Sequence, residues 1–497
     1  MHYYIGIDFG STNIKVAAYT LAGETAHIES RPNRVTHPRP DWSDFDIDGI
    51  WAGIQESLQI ITAKLGAANI RAVSFSSMGE PAVPIDKEGT PLYPTMAWYD
   101  MRSLPQLEYI NNKIGRRRLY EITGQVPDPK FAISKIVFLQ QNHPEIFEKI
   151  HKWLPLPDYV AYLLTGEQFT DYSIASRTMC FDVTNLCWSR EILEPLGISP
   201  DIFPPTIPGA TRRGEITTAA QELTGLLKGT PVVAGGHDHS CAAITVNIWE
   251  DGVVLDSMGT AESCMVAIDK MNFSDHGYEN AICMYPHCTD KLYRAISGFN
   301  ACGASVEWYL KTIGRAIVLE AEAQGRNRFE LMNEKAAKEV TDIPSMVYLP
   351  FLRGSRHNSN VRGGFVGISD GHLDGDYVNA LLEGLCCEFR SIAQEYETLF
   401  GISCNRIQAV GGGSRDPYWM QIKANVMKNT VYVPANREGA SMGAAFLGAV
   451  GMGDIDFAGL AAMKRPGDTY KPAADAQGEK IFEKYCKAKA HLISYYE

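Results

Sequence analysis

Tyr4-Ile5-Gly6-Ile7-Asp8-Phe9-Gly10-Ser11-Thr12-Asn13-Ile14-Lys15, continued by Val16-Ala17-Ala18-Tyr19, reads as a strand, a tight hairpin and a second strand. Gly10 has no Cβ, so the backbone there can approach a bulky anion. Ser11, Thr12 and the nearby amides can donate hydrogen bonds, and Lys15 adds positive charge. Together they describe a phosphate cradle. Asp8, at the carboxyl end of the first strand, suits Mg²⁺ or its waters, since that ion takes one or two carboxylates along with phosphate oxygens. Taken alone, the stretch is equally readable as a plain hairpin whose Asp and Gly serve turn chemistry.

The pattern recurs. Gly252-Val253-Val254-Leu255-Asp256-Ser257-Met258-Gly259-Thr260 is again an apolar strand, an Asp and a Gly-Thr turn, offset by one inserted residue and close to mid-chain, where a duplicated architecture would put it. A third glycine turn follows the strand Ile407-Gln408-Ala409-Val410, at Gly411-Gly412-Gly413-Ser414. Three such turns suggest one nucleotide gripped from two sides.

With 497 residues, the chain is expected to form two to four domains. The composition, 45% hydrophobic and 21% charged, is that of a globular protein. No apolar run approaches the roughly 20 residues of a membrane span, and no basic leader precedes the first strand, so a cytoplasmic protein away from membranes is expected. A net charge of -12 argues against a nucleic-acid surface but not against a nucleotide ligand. The eleven cysteines form no Cys-x-x-Cys pair or zinc spacing and read as reduced, packed thiols.

Between the glycine turns, Trp51, Ile54, Leu58, Ile61 and Leu65 recur at helical spacing. Ile70 to Ser76 reads as a strand of the first sheet, ending in Met78-Gly79-Glu80 at the edge where α/β sheets bind ligands. Trp98-Tyr99-Asp100-Met101-Arg102 fits either a polar pocket wall or a surface loop with an Asp–Arg ion pair. Pro231 to Gly236 reads as a buried strand that delivers Asp238, either as a carboxylate in a cleft or as the cap of the helix that follows. His237 and His239 invite a metal reading, which is disfavoured because neighbouring side chains at a helix start diverge. Leu381 to Leu399 keeps helical spacing and reads as core. Met442-Gly443-Ala444-Ala445-Phe446 reads as a small-residue helix close to the nucleotide.

The ordered set of phosphate turns, Trp98-Tyr99-Asp100-Met101-Arg102, Gly235-Gly236-His237-Asp238 and Gly411-Gly412-Gly413-Ser414 resembles the FGGY carbohydrate kinases over nearly the whole chain. Phe131-Ala132-Ile133-Ser134-Lys135, Leu163-Leu164-Thr165-Gly166-Glu167 and Arg362-Gly363-Gly364-Phe365 resemble further segments of that family. The resemblance implies two ribonuclease-H-like α/β domains, of the superfamily shared with actin and the heat-shock chaperone ATPases, with a cleft between them. Residues 1–245 would mainly hold sugar and residues 246–497 mainly nucleotide. It further implies Asp238 as the catalytic base, Asp8 as the Mg²⁺ ligand, and Gly10, Ser11, Thr12, Lys15, Gly259 and Thr260 at the phosphates. Gly303, Gly412 and Gly413 would face the adenosine, and Met78, Gly79, Glu80, Trp98 and Asp238 the substrate. The implied reaction is phosphorylation of a sugar or polyol hydroxyl by ATP, and a homodimer is compatible with it. Departures concern the substrate. Met78-Gly79-Glu80 stands where xylulose kinases carry Gln-Met-His and glycerol kinases an Arg-Glu, and Phe138 stands where the family signature usually has Trp.

Two other readings use the same turns: an ATP-driven conformational machine of the actin or chaperone class, and a sugar-binding regulator without activity. The hydroxyl-pocket segments weigh against the first, and the intact Asp8 and Asp238 against the second. Because Glu80 and Asp238 would repel an acidic ligand in a closed cleft, a neutral polyol or ketose of four to six carbons is the expected acceptor.

Overall fold

The computed structural model describes residues 1–289, 291–343, 346–356, 358–436, 438–463, 465–474 and 477–496. Its first half is built on a six-stranded sheet: β1 (Tyr3–Phe9), β2 (Asn13–Tyr19), β3 (Thr25–Pro32), β4 (Ile70–Ser77), β5 (Arg212–Glu215) and β6 (Pro231–His237), in the order β5-β6-β4-β1-β2-β3. β1, β2 and β3 form an antiparallel meander, and β4 and β6 lie parallel to β1 and to each other. Ile5, Ile7 and Phe9 of β1 are fully buried, as expected of a central strand covered on both faces. Helix α1 (Ile47–Leu65) covers one face through Ile50, Ile54, Leu58 and Ile61. Its N-cap is Asp46, whose carboxylate accepts from the Gly49 amide. Trp51 lies at the edge of this buried stripe.

The second half follows the same path. Its seven-stranded sheet has the order β9-β10-β8-β7-β11-β12-β13, made from β7 (Val253–Met258), β8 (Glu262–Ile268), β9 (Cys283–Pro286), β10 (Tyr293–Phe299), β11 (Arg406–Gly411), β12 (Thr430–Pro434) and β13 (Gly467–Tyr470). β7, β8 and β10 run antiparallel, and β11 and β12 lie parallel to β7 and to each other. β7 therefore occupies the place of β1, and the repeat read from two Asp-containing strands extends to five strands on each side.

The halves interlock. Helix α6 (Gly439–Gly451) belongs to the second half by sequence, yet it packs on β1, β4 and β6 and against α2 (Asp238–Ile244). Glycine makes this possible: a Cβ on Gly6 would strike the Ser441 carbonyl, and one on Gly443 the Cys241 carbonyl. The small-residue run Met442 to Phe446 thus packs on the first sheet and on α2, away from the second-half cleft described below, because small side chains serve close backbone approach as readily as ligand access. On the opposite side, the β9–β10 hairpin of the second half docks on the first. The Met284 amide donates to the Gly124 carbonyl at 2.8 Å, and the Tyr120 hydroxyl donates to the Ile282 carbonyl at 2.9 Å.

Helix α3 (Gly303–Lys311) buries Val306 and Leu310 in the second core, and the long helix α4 (Asp374–Phe400) adds Leu381, Leu382, Leu385, Phe389 and Ile392. Asp100 and Arg102 do pair, as one of the two readings of that segment required, but in the interior and with Asp44 as a further partner. All eleven cysteines are free, including the buried neighbours Cys386 and Cys387. Among the described residues, no helix is long and apolar enough to cross a membrane.

Candidate active site

Parallel strands β1, β4 and β6 end on one side of the first sheet and present Asp8, Ser76, His237 and Asp238 together. The Ser76 hydroxyl donates to Asp8 Oδ1 at 2.8 Å. Asp238 is the first residue of α2, behind the N-cap His237. Its Oδ1 accepts from the His239 amide at 2.6 Å and lies 2.9 Å from His237 Nδ1. The side chain is one-third exposed, at 33%, so the carboxylate stays reachable while its backbone is fixed. Its recessed position alone would raise its pKa, but His237 and His239 and the donated amide hold it well below the usual carboxylate range. Asp238 is therefore an anion at neutral pH. His237 is lowered to about 4, mainly by burial, and is neutral there.

Asp8 behaves oppositely. Burial, followed by the charge of Asp238, pushes it up to about 7. The two carboxylates repel across the turn, and Glu438 adds a third negative charge within reach. The nearby cation, Lys15, is bound to Glu438 at 2.6 Å. A carboxylate near a second carboxylate suits a divalent cation, but the ligand atoms that lie within 4.8 Å of one another among the described residues belong to His237, Asp238 and His239, not to Asp8 or Glu438. Lys15 was expected at the phosphates, and here it ties the first hairpin to the loop before α6.

The histidines differ from expectation in one respect. His237, Asp238 and His239 each bring a ligand atom within 4.8 Å of the others instead of diverging, because His237 still belongs to the strand and only Asp238 and His239 to the helix.

The segments expected at the substrate form a wall beside Asp238. Glu80 is buried and forms a salt bridge with Arg177, which donates to it through both Nε and Nη2. Burial would raise Glu80, but Arg177 lowers it, keeping it ionised. Gly79 is needed because the Arg177 stem crosses it: a Cβ there would collide with that side chain and press on the His237 ring. The repulsion argument for a neutral substrate therefore loses one of its two charges, since Arg177 neutralises Glu80. Trp98 donates from Nε1 to Ser11 Oγ at 2.8 Å, and the Ser11 hydroxyl also contacts Met78 Sδ. Ser11, expected at the phosphates, thus sits against two residues expected at the substrate.

In the second half, Gly259, Thr260, Gly303, Gly412 and Gly413 meet in one cleft of about 1430 Å³. Gly259 and Gly412 open directly into space, with no atom closer than 3.5 Å and 4.0 Å to a built Cβ. Gly411 turns the chain at φ 94°, where a side chain would clash with the Met258 carbonyl. Gly10, Ser11, Thr12 and Lys15 do not line this cleft.

Sequence reasoning did not single out Arg177, Gln125, Tyr285, Arg294 and Glu438, which interact with these side chains, nor Phe329, Asn333, Arg353 and Trp419, which line the second-half cleft. They come from helices, edge strands and loops far apart in sequence, and no local pattern marks them.

Family models for the FGGY family of carbohydrate kinases match the chain twice, the N-terminal domain over residues 3–245 and the C-terminal domain over residues 255–452. The xylulose kinase of Staphylococcus xylosus is 27% identical over 454 residues, covering 91% of this chain and 91% of that protein. The gluconokinase of Bacillus subtilis (strain 168) is 26% identical over 91% of this chain and 88% of its own length. The crystal structure of a xylulose kinase from Rhodospirillum rubrum superposes with a TM-score of 0.90 at 24% identity, covering 100% of both chains, which shows the same two-domain fold.

Proposed function

The chain belongs to the FGGY family of carbohydrate kinases, and from that premise we propose that it transfers the γ-phosphoryl group of ATP to a hydroxyl of a small sugar or polyol, with Asp238 as the general base. It is a phosphotransferase with ATP as donor. The observation that carries the assignment of the base is Asp238 itself, an ionised, partly exposed carboxylate fixed by the His239 amide beside a polar wall.

In this reading the acceptor lies against Glu80, Arg177 and Trp98 with one hydroxyl at Asp238. As that oxygen bonds to the γ-phosphorus and the bond to ADP breaks, the hydroxyl proton passes to Asp238. A carboxylate of low pKa serves because the hydroxyl becomes acidic late in the transfer. The nucleotide occupies the cleft at Gly259, Thr260, Gly303, Gly412 and Gly413. The phosphates reach toward Gly10 and Thr12 when the two halves approach, which also excludes water and suppresses ATP hydrolysis. Asp8 would hold Mg²⁺ near Asp238 and Glu438, and when bound the ion would neutralise charge on the transferred group. Residues 1–245 are proposed to carry the sugar and residues 246–497 the nucleotide, in an enzyme that works in the cytoplasm, alone or as a homodimer.

The test is ADP release from Mg-ATP by the full-length protein across a panel of ketoses, alditols and aldonates. Release that depends on one acceptor, with a stoichiometric sugar phosphate, is expected. Release that is indifferent to every acceptor but stimulated by a protein partner would favour the conformational-machine reading instead.

A further inference from the structure

The strand end that delivers Asp238 is held from the side. β5 pairs with β6 at Pro231, Val232 and Val233, and the Ala234 amide still finds the Thr211 carbonyl at 2.8 Å. Further on, the His237 amide, one residue before Asp238, donates to a side chain: Ser173 Oγ accepts it at 2.9 Å. A backbone N–H can only donate, so this hydroxyl turns its own proton elsewhere. That proton goes to Asp171 Oδ1. The same oxygen accepts from the Ser173 and Ile174 amides at 2.8 Å and 3.2 Å, as the cap of the short helical turn Tyr172–Ala175.

The contact is buried and close-fitting. Asp171 and Ser173 both lie in the interior, where a hydrogen bond is stronger than in water. A Cβ on Gly236 would come within 2.8 Å of Ser173 Oγ and 3.6 Å of Asp171 Oδ1, so the second glycine of Gly235-Gly236 is what lets the pair reach the strand. The first serves the other neighbour, since a Cβ on Gly235 would strike the Phe75 carbonyl of β4. Pairing between β6 and β4 slips in register between Val233 and Gly236, so the ladder is interrupted just where the strand must end accurately. The peptide that Ser173 holds joins Gly236 to His237, and the turn from strand to helix begins there, with Asp238 as the first residue of α2. Asp238 is thus fixed forward by the His239 amide and backward, through the backbone, by Ser173.

Building on the kinase reading, we propose that Asp171 and Ser173 are positioning residues for the base: Asp171 orients the Ser173 hydroxyl, and the hydroxyl sets the peptide ahead of Asp238 and so the line from its carboxylate to the acceptor. Both act through the His237 peptide, not on the acceptor itself. Proton removal from a bound hydroxyl depends on placement, and a misplacement of about 1 Å can cost about 10²-fold in rate. The competing account is that the pair only satisfies a buried amide and caps a helical turn. Contacts of that kind lower the folded fraction and leave the rate per folded molecule unchanged. Residues acting in series also combine differently, because Asp171 matters to the rate only while Ser173 is there to be oriented.

The experiment is a double-mutant cycle on the full-length protein, with phosphoryl transfer scored per folded molecule and the folded fraction counted from urea unfolding curves. Ser173→Ala and Asp171→Ala should each slow single-turnover transfer by about 10- to 100-fold, while the steady-state KM for the acceptor stays within about twofold. The double variant should be slower than Ser173→Ala by no more than about twofold. Asp171→Asn, which keeps an oxygen for the Ser173 hydroxyl, should recover most of the rate that Asp171→Ala loses. Thr123→Val is the control: it removes another buried hydroxyl, bonded to the Leu119 carbonyl, and should lower stability without slowing transfer. A second arm needs no turnover. Hydrogen exchange at the His237 amide should be faster in Ser173→Ala than in the parent or in Thr123→Val. A parent-like rate per folded molecule in Ser173→Ala, losses that multiply in the double variant, or a His237 amide that exchanges no faster in Ser173→Ala than in Thr123→Val overturns the proposal. If ADP is released but the losses multiply, the kinase reading stands and this inference falls. If the parent releases no ADP with any acceptor, the kinase reading falls, and the exchange arm alone decides whether this pair holds the strand end at Asp238.

Discussion

Asp8 and Asp256 sit on corresponding central strands of two sheets with the same strand path, each shortly before a glycine turn, and they have opposite fates. Asp8 faces Asp238 across an open turn and is pushed up to about 7. Asp256 is completely buried, and Lys423 of α5 (Pro417–Met427) bridges it to Glu262, with all three side chains at 0% exposure. The difference lies in what the neighbouring helix supplies. In the second half, α5 inserts a lysine beneath the strand and turns the carboxylate into part of the core. In the first half, the nearby lysine is drawn away by Glu438, and the carboxylate keeps its charge problem. The same local motif therefore leaves a carboxylate without a salt bridge among the described residues in one half and builds scaffolding in the other.

The comparison is broken most violently at Lys423. Lys423→Met would leave Asp256 and Glu262 facing each other in the core, and should destabilise the second half by about 3–5 kcal/mol, read by urea unfolding. If stability is unchanged, the Lys423 bridge is not what builds Asp256 into the core. Next, Asp8→Asn should cut turnover by about 10² to 10³ while the protein stays folded, since an acidic ligand near the transferred charge is lost. Equal loss of specific activity per folded molecule in Asp256→Asn would erase the distinction.

Gly259→Val comes third. A side chain there meets only the Ala261 carbonyl, at 3.5 Å, so the fold should survive while the cleft fills. Mg-ATP affinity measured by calorimetry should fall by about 10- to 100-fold, whereas unchanged affinity removes this turn from the nucleotide site. Gly10→Val is a poorer probe, because its Cβ would press on the Asn13 carbonyl at 2.8 Å and strain the hairpin itself.

The last effect is on stability against pH. Asp8 titrates near its ordinary value of 3.8 when unfolded and about 7 when folded. Between those values the folded state binds the extra proton, so this group's contribution to stability falls as pH rises through the window and is constant above it. Relative to Asp8→Asn, the parent should lose about 3 kcal/mol between pH 4.5 and pH 8. A difference that is flat across this range would show that Asp8 is not strained by its neighbours.

Much of this contrast was legible in the sequence, and the missing part has one physical cause. The central strands were readable from apolar runs ending in Asp and Gly, because backbone geometry at such turns is local. Asp238 was legible for the same reason: two glycines and a strand end deliver it. Side-chain partners were not legible. Nothing near Glu80 announces Arg177, 97 positions away, nor does anything near Asp256 announce Lys423, 167 positions away. Yet those two pairings decide whether each carboxylate meets a ligand or a cation of the protein. Helix α6 misled for a related reason, since small residues mark close packing without saying against what.

The central claim is that Asp238 removes the proton from the acceptor hydroxyl, and it is tested most directly by single-turnover phosphoryl transfer in Asp238→Asn. With the best acceptor from the panel and saturating Mg-ATP, the chemical step should slow by about 10² to 10⁴, as for loss of a general base. Acceptor binding, followed separately by thermal shift, should persist. A variant that transfers the phosphoryl group at near the parent rate would contradict the account.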